Sequence, residues 1–142
     1  MSSITSVEII GVIAATLRLA TPLIFASLGG VFSEKSGVVN IALEGIMTAG
    51  AFFAVLGSFL TGNAWIGMLF AIIAGIVMAA IHAYLSIHLK ADQIVSGVGI
   101  NVFAAAFTSY LIVKVFKTNS QTSVVNSLPY PSQAMAKVPL IG

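Results

Sequence analysis

Four long apolar runs, separated by short polar breaks, leave this chain little choice of fold. They cover residues 9–32 (IIGVIAATLRLATPLIFASLGGVF), a stretch ending at Gly62 whose main part is IMTAGAFFAVLGSFLTG, residues 65–89, and residues 94–113 (IVSGVGINVFAAAFTSYLIV). Each is close to the roughly 20 residues that an α-helix needs to cross the hydrocarbon core of a bilayer. The second run reaches that length only by borrowing residues from before Ile46, which places its start near residue 38. Helices are therefore expected over 9–32, 38–62, 65–89 and 94–113. The remainder, 114–142, holds three of the four prolines and is expected to be an extramembrane loop. The fold class is all-α, a polytopic transmembrane helical bundle with about four spans in this chain.

Composition rules out other classes. The chain is 58% hydrophobic and 7% charged, with a mean hydropathy of +1.08, against about 25% charged residues in an average soluble domain. A formal charge of +2 from scattered basic groups gives no footprint for a nucleic acid. The absence of cysteine excludes disulfides, iron–sulfur clusters and thiol catalysis. The opening MSSITSVE lacks the basic segment of a cleavable signal peptide and reads as mature sequence. No P-loop, HExxH, GxSxG or Ser/His pair at helical spacing occurs, so a self-sufficient enzyme is not expected.

Polar residues inside such segments are the functional candidates. Arg18 sits mid-run, where a charge costs about 2.5–3.5 kcal/mol on insertion scales. Ala14, Arg18, Pro22, Ala26 and Gly30 share one ridge at spacing four, a mostly small face that invites another helix. Arg18 is thus expected to point into the bundle, either orienting and stabilising it or serving a functional role, and Pro22 to kink the helix. Between the first two apolar runs lies SEKSGVVNIALEG, residues 33–45, which carries Glu34, Lys35, Asn40 and Glu44. Its first half reads as the turn between helices one and two, its second half as the start of helix two. Asn40, Glu44 and Thr48 then fall on one helical stripe, with Gly50, Ala54 and Ser58 on another. The polar stripe is either a hydrogen-bond ladder or the wall of a hydrophilic pathway, and Glu44 also lies near enough the helix end to reach the headgroups. Arg18 and Glu44, of opposite sign, form a candidate buried ion pair.

In the third run Trp65 is placed to anchor at the interface. Gly67, Ala71, Gly75, Ala79 and Ala83 make a continuous small ridge for close helix packing. His82 and His88, six apart, do not share a helical face and read as structural or interfacial, so no metal site is expected. The break KADQ introduces helix four, with Asp92 or the preceding turn as its cap. There Gly97, Asn101, Ala105 and Ser109 repeat the spacing of four. The Asn101 amide is expected to find a partner across a helix contact, and it also competes for a place on a pathway.

The strings GGVFSEKSGVVNIALEGIMTAGAF (residues 29–53) and KADQIVSGVGINVFAAAFTSYL (residues 90–111) resemble the membrane permease subunit of bacterial ABC importers for branched-chain amino acids, ribose-type sugars and nucleosides. GVVNIALEG and ADQIVSGVGIN are most similar to the nucleoside and simple-sugar branch. The resemblance implies transmembrane transport of a nucleoside or simple sugar by alternating access, in the bacterial cell (inner) membrane. It implies no cofactor in this chain, with ATP and Mg on a partner ATPase. The implied partners are a second permease subunit, cytoplasmic ATP-binding subunits, an extracytoplasmic lipoprotein that binds the solute, and membrane lipid. Family members are about twice as long, with an arginine- and glycine-containing coupling loop beyond the region matched here. An N-terminal half is therefore expected, unable to couple transport to ATP hydrolysis alone. The same resemblance places the N-terminus and 114–142 outside, and Lys35 and Lys90 in the cytoplasm. The positive-inside count leans the other way by one charge, with Lys114, Lys117 and Lys137 outside.

A nucleoside, neutral and rich in hydroxyls and ring nitrogens, suits a path of amides and hydroxyls, for which Asn40, Glu44, Thr48 and Asn101 are the candidates. Asn101→Leu is accordingly expected to reduce uptake and leave assembly intact. The rival readings are a non-transporting membrane scaffold or stabilising subunit, and an ion-coupled secondary carrier, for which no inverted self-similarity is visible.

Overall fold

The computed structural model describes residues 6–118, 122–126 and 128, with side chains from Glu8 onward. Four helices follow one another: α1 (Ser6–Lys35), α2 (Leu43–Thr61), α3 (Ala64–Ala83), prolonged by one π-helical turn (Tyr84–His88), and α4 (Gln93–Phe116). Among the described residues there is no strand. All four helices are long and apolar enough to cross a membrane, which makes this a multi-pass membrane protein. The chain divides into two compact units. The described part of the first is α1 as far as Gly29, and the second is residues 30–128.

The first break falls later than the hydrophobic pattern predicts. Helix α1 runs through Pro22 and on through Ser33, Glu34 and Lys35, and α2 begins at Leu43 instead of near residue 38. Residues 36–42 are not helical. Local chemistry accounts for this. Gly37 adopts φ 89°, a left-handed conformation that stops a helix and that β-carbon-bearing residues avoid. Val38 and Val39 are β-branched and give up little by leaving the helix, and the Asn40 side chain accepts from the Ala42 amide at 3.1 Å, closing a local turn. In consequence α2 has only 19 residues, roughly 28 Å, against 24, roughly 36 Å, for α4.

The other boundaries follow capping chemistry. Asn63 accepts from the Trp65 amide at 2.9 Å and opens α3. At its far end the Leu89 amide reaches the Tyr84 carbonyl at 3.2 Å, which marks the wider π turn. Asp92 caps α4, accepting from Ile94 and Val95 at 2.8 and 3.0 Å. Helix α4 ends at Phe116, so Lys114 belongs to its last turn, where a cation complements the helix dipole, and not to a loop. Asp92→Ala is expected to cost about 1 kcal/mol of stability, with Asp92→Asn retaining most of it. Thermal unfolding of the detergent-solubilised protein reads the difference.

Packing centres on α2. At its C-terminal end the backbone lies almost against α3: a β-carbon on Gly67 would stand 2.5 Å from the Ala54 carbonyl oxygen and 3.1 Å from Ser58 Cβ. Further along, the contact relaxes, with Gly50 facing the Ala71 carbonyl and Gly75 facing Ile46, each at 3.8 Å. Ala79 continues the same ridge half-buried. The small residues of the two helices thus meet each other, as van der Waals packing requires where lipid supplies no hydrophobic drive. The buried centre is Ala42, Ala49, Met78, Ile100 and Ala104, with Ile46 packed against it. At the opposite end from residues 36–42, Asn126 donates to the Gly62 carbonyl at 2.7 Å, and its own carbonyl accepts from Ser58 at 3.1 Å. The opening MSSIT and most of the loop expected from 114 onward, Lys137 included, lie outside the described residues.

Candidate functional site

Non-helical backbone at membrane depth persists only where protein or water satisfies it, because each unpaired group in hydrocarbon costs several kcal/mol. Residues 36–42 meet that condition through side chains. The carbonyls of Gly37, Val38, Val39 and Ile41 accept, in turn, from Gln93 Nε2 (3.3 Å), Ser33 Oγ (2.8 Å), His82 Nε2 (3.2 Å) and Asn101 Nδ2 (3.0 Å). The amides of Ser36, Gly37 and Val38 donate to main-chain carbonyls in the last turns of α1, and two further amides are held by side chains of α4. Val39 donates to Gln93 Oε1 at 2.7 Å and Gly45 to Asn101 Oδ1 at 2.7 Å. Gln93 and Asn101 therefore each spend both ends of their amide on this backbone.

The histidine is held in turn. Its Nδ1 lies 3.1 Å from Ser96 Oγ, and the ring is 2% exposed. A carbonyl can only accept, so Nε2 carries the proton toward Val39, and in the neutral ring Nδ1 accepts from the serine hydroxyl. The long-range partners come from two helices, α3 and α4. His82 lies six residues, roughly 9 Å, before the end of the π turn, and Asn101 eight residues, roughly 12 Å, inside α4. The break between α1 and α2 is thus gripped well inside the bundle and not only at its rim.

Two glycines make the grip close. A β-carbon on Gly97 would stand 2.8 Å from Ile41 Cβ and 3.1 Å from the Ala42 nitrogen. One on Gly45 would stand 2.8 Å from Asn101 Oδ1 and 2.9 Å from both Asn101 Cα and the Ile100 carbonyl oxygen. Only hydrogen fits at either position, which is what lets a backbone segment lie directly on α4.

The expected stripe of three does not form. Asn40 precedes α2, half-buried and turned onto its own backbone, so it does not line up with Glu44 and Thr48 as a helical i, i+4 series would. Glu44 and Thr48 are both exposed, one turn apart on α2, with the Thr48 hydroxyl back-bonded to the Glu44 carbonyl at 2.9 Å. Asn101 touches Ile41 and Gly45. Gly97 lies beside it, packed on Ile41 and Ala42, while Gly67, Ala71 and Gly75 belong to the α2–α3 contact and Ala79 is half-buried on the same ridge. Arg18 is in the first unit and Glu44 in the second. Gln93, Ser33 and Ser96 carry weight that sequence patterns do not assign to them, and His82 serves as a backbone holder. Among the described residues no group of three or more His, Asp or Glu side chains gathers that could hold a metal.

Two cavities flank this arrangement. One of about 540 Å³ lies between α2, α3 and α4, among Phe53, Phe70, Phe103, Phe107 and aliphatic side chains. Every residue lining it is apolar, so it offers nothing to a hydroxyl-rich solute. The other, about 440 Å³, is bordered by Val39, Ile41, Ala91, Asp92, Gln93 and Ile94, directly beside the held segment.

Comparison with known proteins places this arrangement in context. A family model described as branched-chain amino acid transport system / permease component matches residues 12–140. The chain is 38% identical over 149 residues to a nucleoside ABC transporter permease protein of Lactococcus lactis subsp. cremoris, covering all of this chain and 46% of that protein. It is 42% identical over 145 residues to a guanosine ABC transporter permease protein of Bacillus subtilis, covering 96% and 45%. A putative glucose ABC transporter permease protein of Haloferax volcanii is 33% identical over 132 residues, covering 93% and 40%. The chain thus spans less than half the length of these relatives. No solved structure matches it.

Proposed function

The chain belongs to the branched-chain amino acid transport system permease family, and from that premise we propose that it forms part of the permease of an ATP-binding cassette importer for a nucleoside, or a simple sugar, working by alternating access. The observation that carries this reading is the break at residues 36–42: irregular backbone at depth, satisfied by protein, with the exposed polar pair Glu44 and Thr48 just beyond it. Non-helical backbone of a membrane protein is tolerated where it is buried in protein or lines a water-filled cavity. The names of the relatives, two nucleoside permeases and one for glucose, supply the solute class.

In this reading the chain does no bond chemistry. ATP and Mg belong to cytoplasmic ATP-binding subunits, a lipoprotein delivers solute from outside, a second permease subunit completes the path, and the whole sits in lipid of the bacterial inner membrane. Lys35 and Lys90 face the cytoplasm. Glu44 and Thr48 contribute to the wall of the path, with Asn40 at its edge, while Asn101 shapes that wall by holding backbone. Arg18 and Glu44 form the proposed ion pair, and a double replacement that costs as much as the two single ones combined would remove it.

Glu44→Gln and Thr48→Val are expected to lower nucleoside uptake several-fold in the complete transporter, with membrane protein levels unchanged because both side chains are exposed. Uptake of labelled guanosine and glucose into proteoliposomes carrying the binding protein and ATPase reads this. Uptake at the unmodified rate in both variants would take the α2 face off the path. Absence of ATP-driven uptake of either solute in the unmodified complex would favour a scaffold.

A further inference from the structure

Gln93, Ser96, Gly97 and Asn101 share one face of α4, at the three- and four-residue spacings that stack side chains along a helix. Three of them touch the 36–42 segment directly. Gln93 bonds Gly37 and Val39, Gly97 packs on Ile41 and Ala42, and Asn101 bonds Ile41. Ser96 reaches it through His82. Its hydroxyl lies 3.1 Å from Nδ1 of the ring, and Nε2 of the same ring lies 3.2 Å from the Val39 carbonyl. Both side chains are buried, Ser96 at 8% and His82 at 2% exposure.

Other helical hydroxyls of this body behave differently. Thr48, Thr61 and Thr108 each turn theirs back to the carbonyl four positions earlier, at 2.9, 2.7 and 2.7 Å, the local bond that such side chains make within a helix. For Ser96 that carbonyl belongs to Asp92, and it takes the Ser96 amide at 2.9 Å. A hydroxyl has one hydrogen, so it either donates to a carbonyl and accepts from the ring, or donates to the ring. The two settings demand opposite tautomers of a neutral imidazole. With Ser96 accepting, the ring proton sits on Nδ1, and the bare Nε2 faces a carbonyl oxygen, acceptor against acceptor. With Ser96 donating, the proton sits on Nε2, where the Val39 carbonyl receives it. Which ring nitrogen is protonated is set by the bond that the other one makes.

The main chain of residue 39 depends on this choice. Its amide is held by Gln93 and its carbonyl by His82. Asn40 follows, turned onto its own backbone, and α2 begins at Leu43. The peptide held by His82 is therefore part of the path by which the chain enters α2. We propose that Ser96 is a positioning residue: by donating to His82 Nδ1 it keeps the ring proton on Nε2, secures the Val39 carbonyl, and so fixes the entry to α2 and the Glu44–Thr48 face just beyond. Ser96 acts through the histidine and touches no solute. The consequence for uptake rests on the transport reading above; the tautomer assignment does not.

The test uses the complete transporter in proteoliposomes, with the permease labelled with 15N-histidine. The His82 signals are those lost in His82→Gln. The expected solid-state NMR spectrum is that of a neutral ring protonated on Nε2, and a proton on Nδ1, or on both nitrogens, overturns the proposal. Guanosine uptake is measured in parallel at matched permease levels. Ser96→Ala is expected to shift the Nδ1 signal to that of an unbonded nitrogen and to lower the maximal uptake rate several-fold at unchanged KM. His82→Gln, whose amide donates without a tautomer to choose, is expected to retain more uptake than Ser96→Ala, and Ser96→Ala added to it is expected to cost nothing further. An equal loss from Ser96→Ala in both backgrounds gives Ser96 a packing role and overturns the proposal, as does Ser96→Ala at unmodified uptake and ring signal, or His82→Gln with less uptake than Ser96→Ala. A complex with no ATP-driven uptake overturns the transport reading alone. The ring spectrum, and the same set of variants read by unfolding midpoint in detergent, then decide the role of Ser96.

Discussion

Gly45→Ala is expected to strip most of the folded protein from the membrane fraction, although it adds a single methyl group. Overpacking a buried site typically costs about 1–3 kcal/mol and sometimes more, depending on whether the neighbours can move. Here two of the three nearest atoms, Asn101 Cα and the Ile100 carbonyl oxygen, are main chain of α4 and cannot swing aside. The third, Asn101 Oδ1, is the acceptor of the Gly45 amide, so moving it breaks a hydrogen bond as well. The cost is therefore placed at about 3 kcal/mol, a large share of the roughly 5–15 kcal/mol that keeps a domain folded. Gly75→Ala is the matched control, since its β-carbon would meet Ile46 at an ordinary 3.8 Å, and a change near zero is expected. The unfolding midpoint and the monodisperse yield in detergent distinguish the two, and equal behaviour would show that α2 and α4 are not in backbone contact.

Asn101→Leu is expected to have the second large effect, and in assembly before uptake. The substitution leaves the Ile41 carbonyl and the Gly45 amide without partners inside the bundle. An unsatisfied buried group costs about 1–3 kcal/mol, so the pair amounts to several kcal/mol. Asn101→Asp keeps the acceptor for Gly45 and loses the donor to Ile41, so about half of that loss is expected. Folded yield in the order asparagine, aspartate, leucine is the measured outcome. A leucine variant with full yield but low uptake would place Asn101 on the solute path, the second of the two roles its position in the sequence allows.

That difference shows what the sequence carries and what it does not. The four spans were legible because hydropathy over a window of about 20 residues is a bulk property that neighbouring structure does not alter. The small ridges were legible as well: Gly67, Ala71 and Gly75 face Gly50, Ala54, Ser58 and Ile46 across α2 and α3. The break at 36–42 was harder to place, because an apolar run tells where a segment is buried and not whether it is helical there. The local signal was Asn40, a residue that bonds its own backbone two positions on and so belongs before a helix, not within one. Gln93 and His82 were illegible in principle. Their partners lie 54 and 43 positions away in the chain, and nothing in the periodicity of either helix points to a main-chain atom so distant.

That separation has a consequence in time. The Ile41 carbonyl waits for Asn101, 60 residues later, and at about 5–20 residues per second of synthesis the delay is roughly 3 to 12 s. Early in that interval α2 itself is still being made, His82 of α3 follows roughly two-thirds of the way through, and Asn101 becomes available only at its end. Release into lipid before α4 has been made would strand the Ile41 carbonyl without its partner.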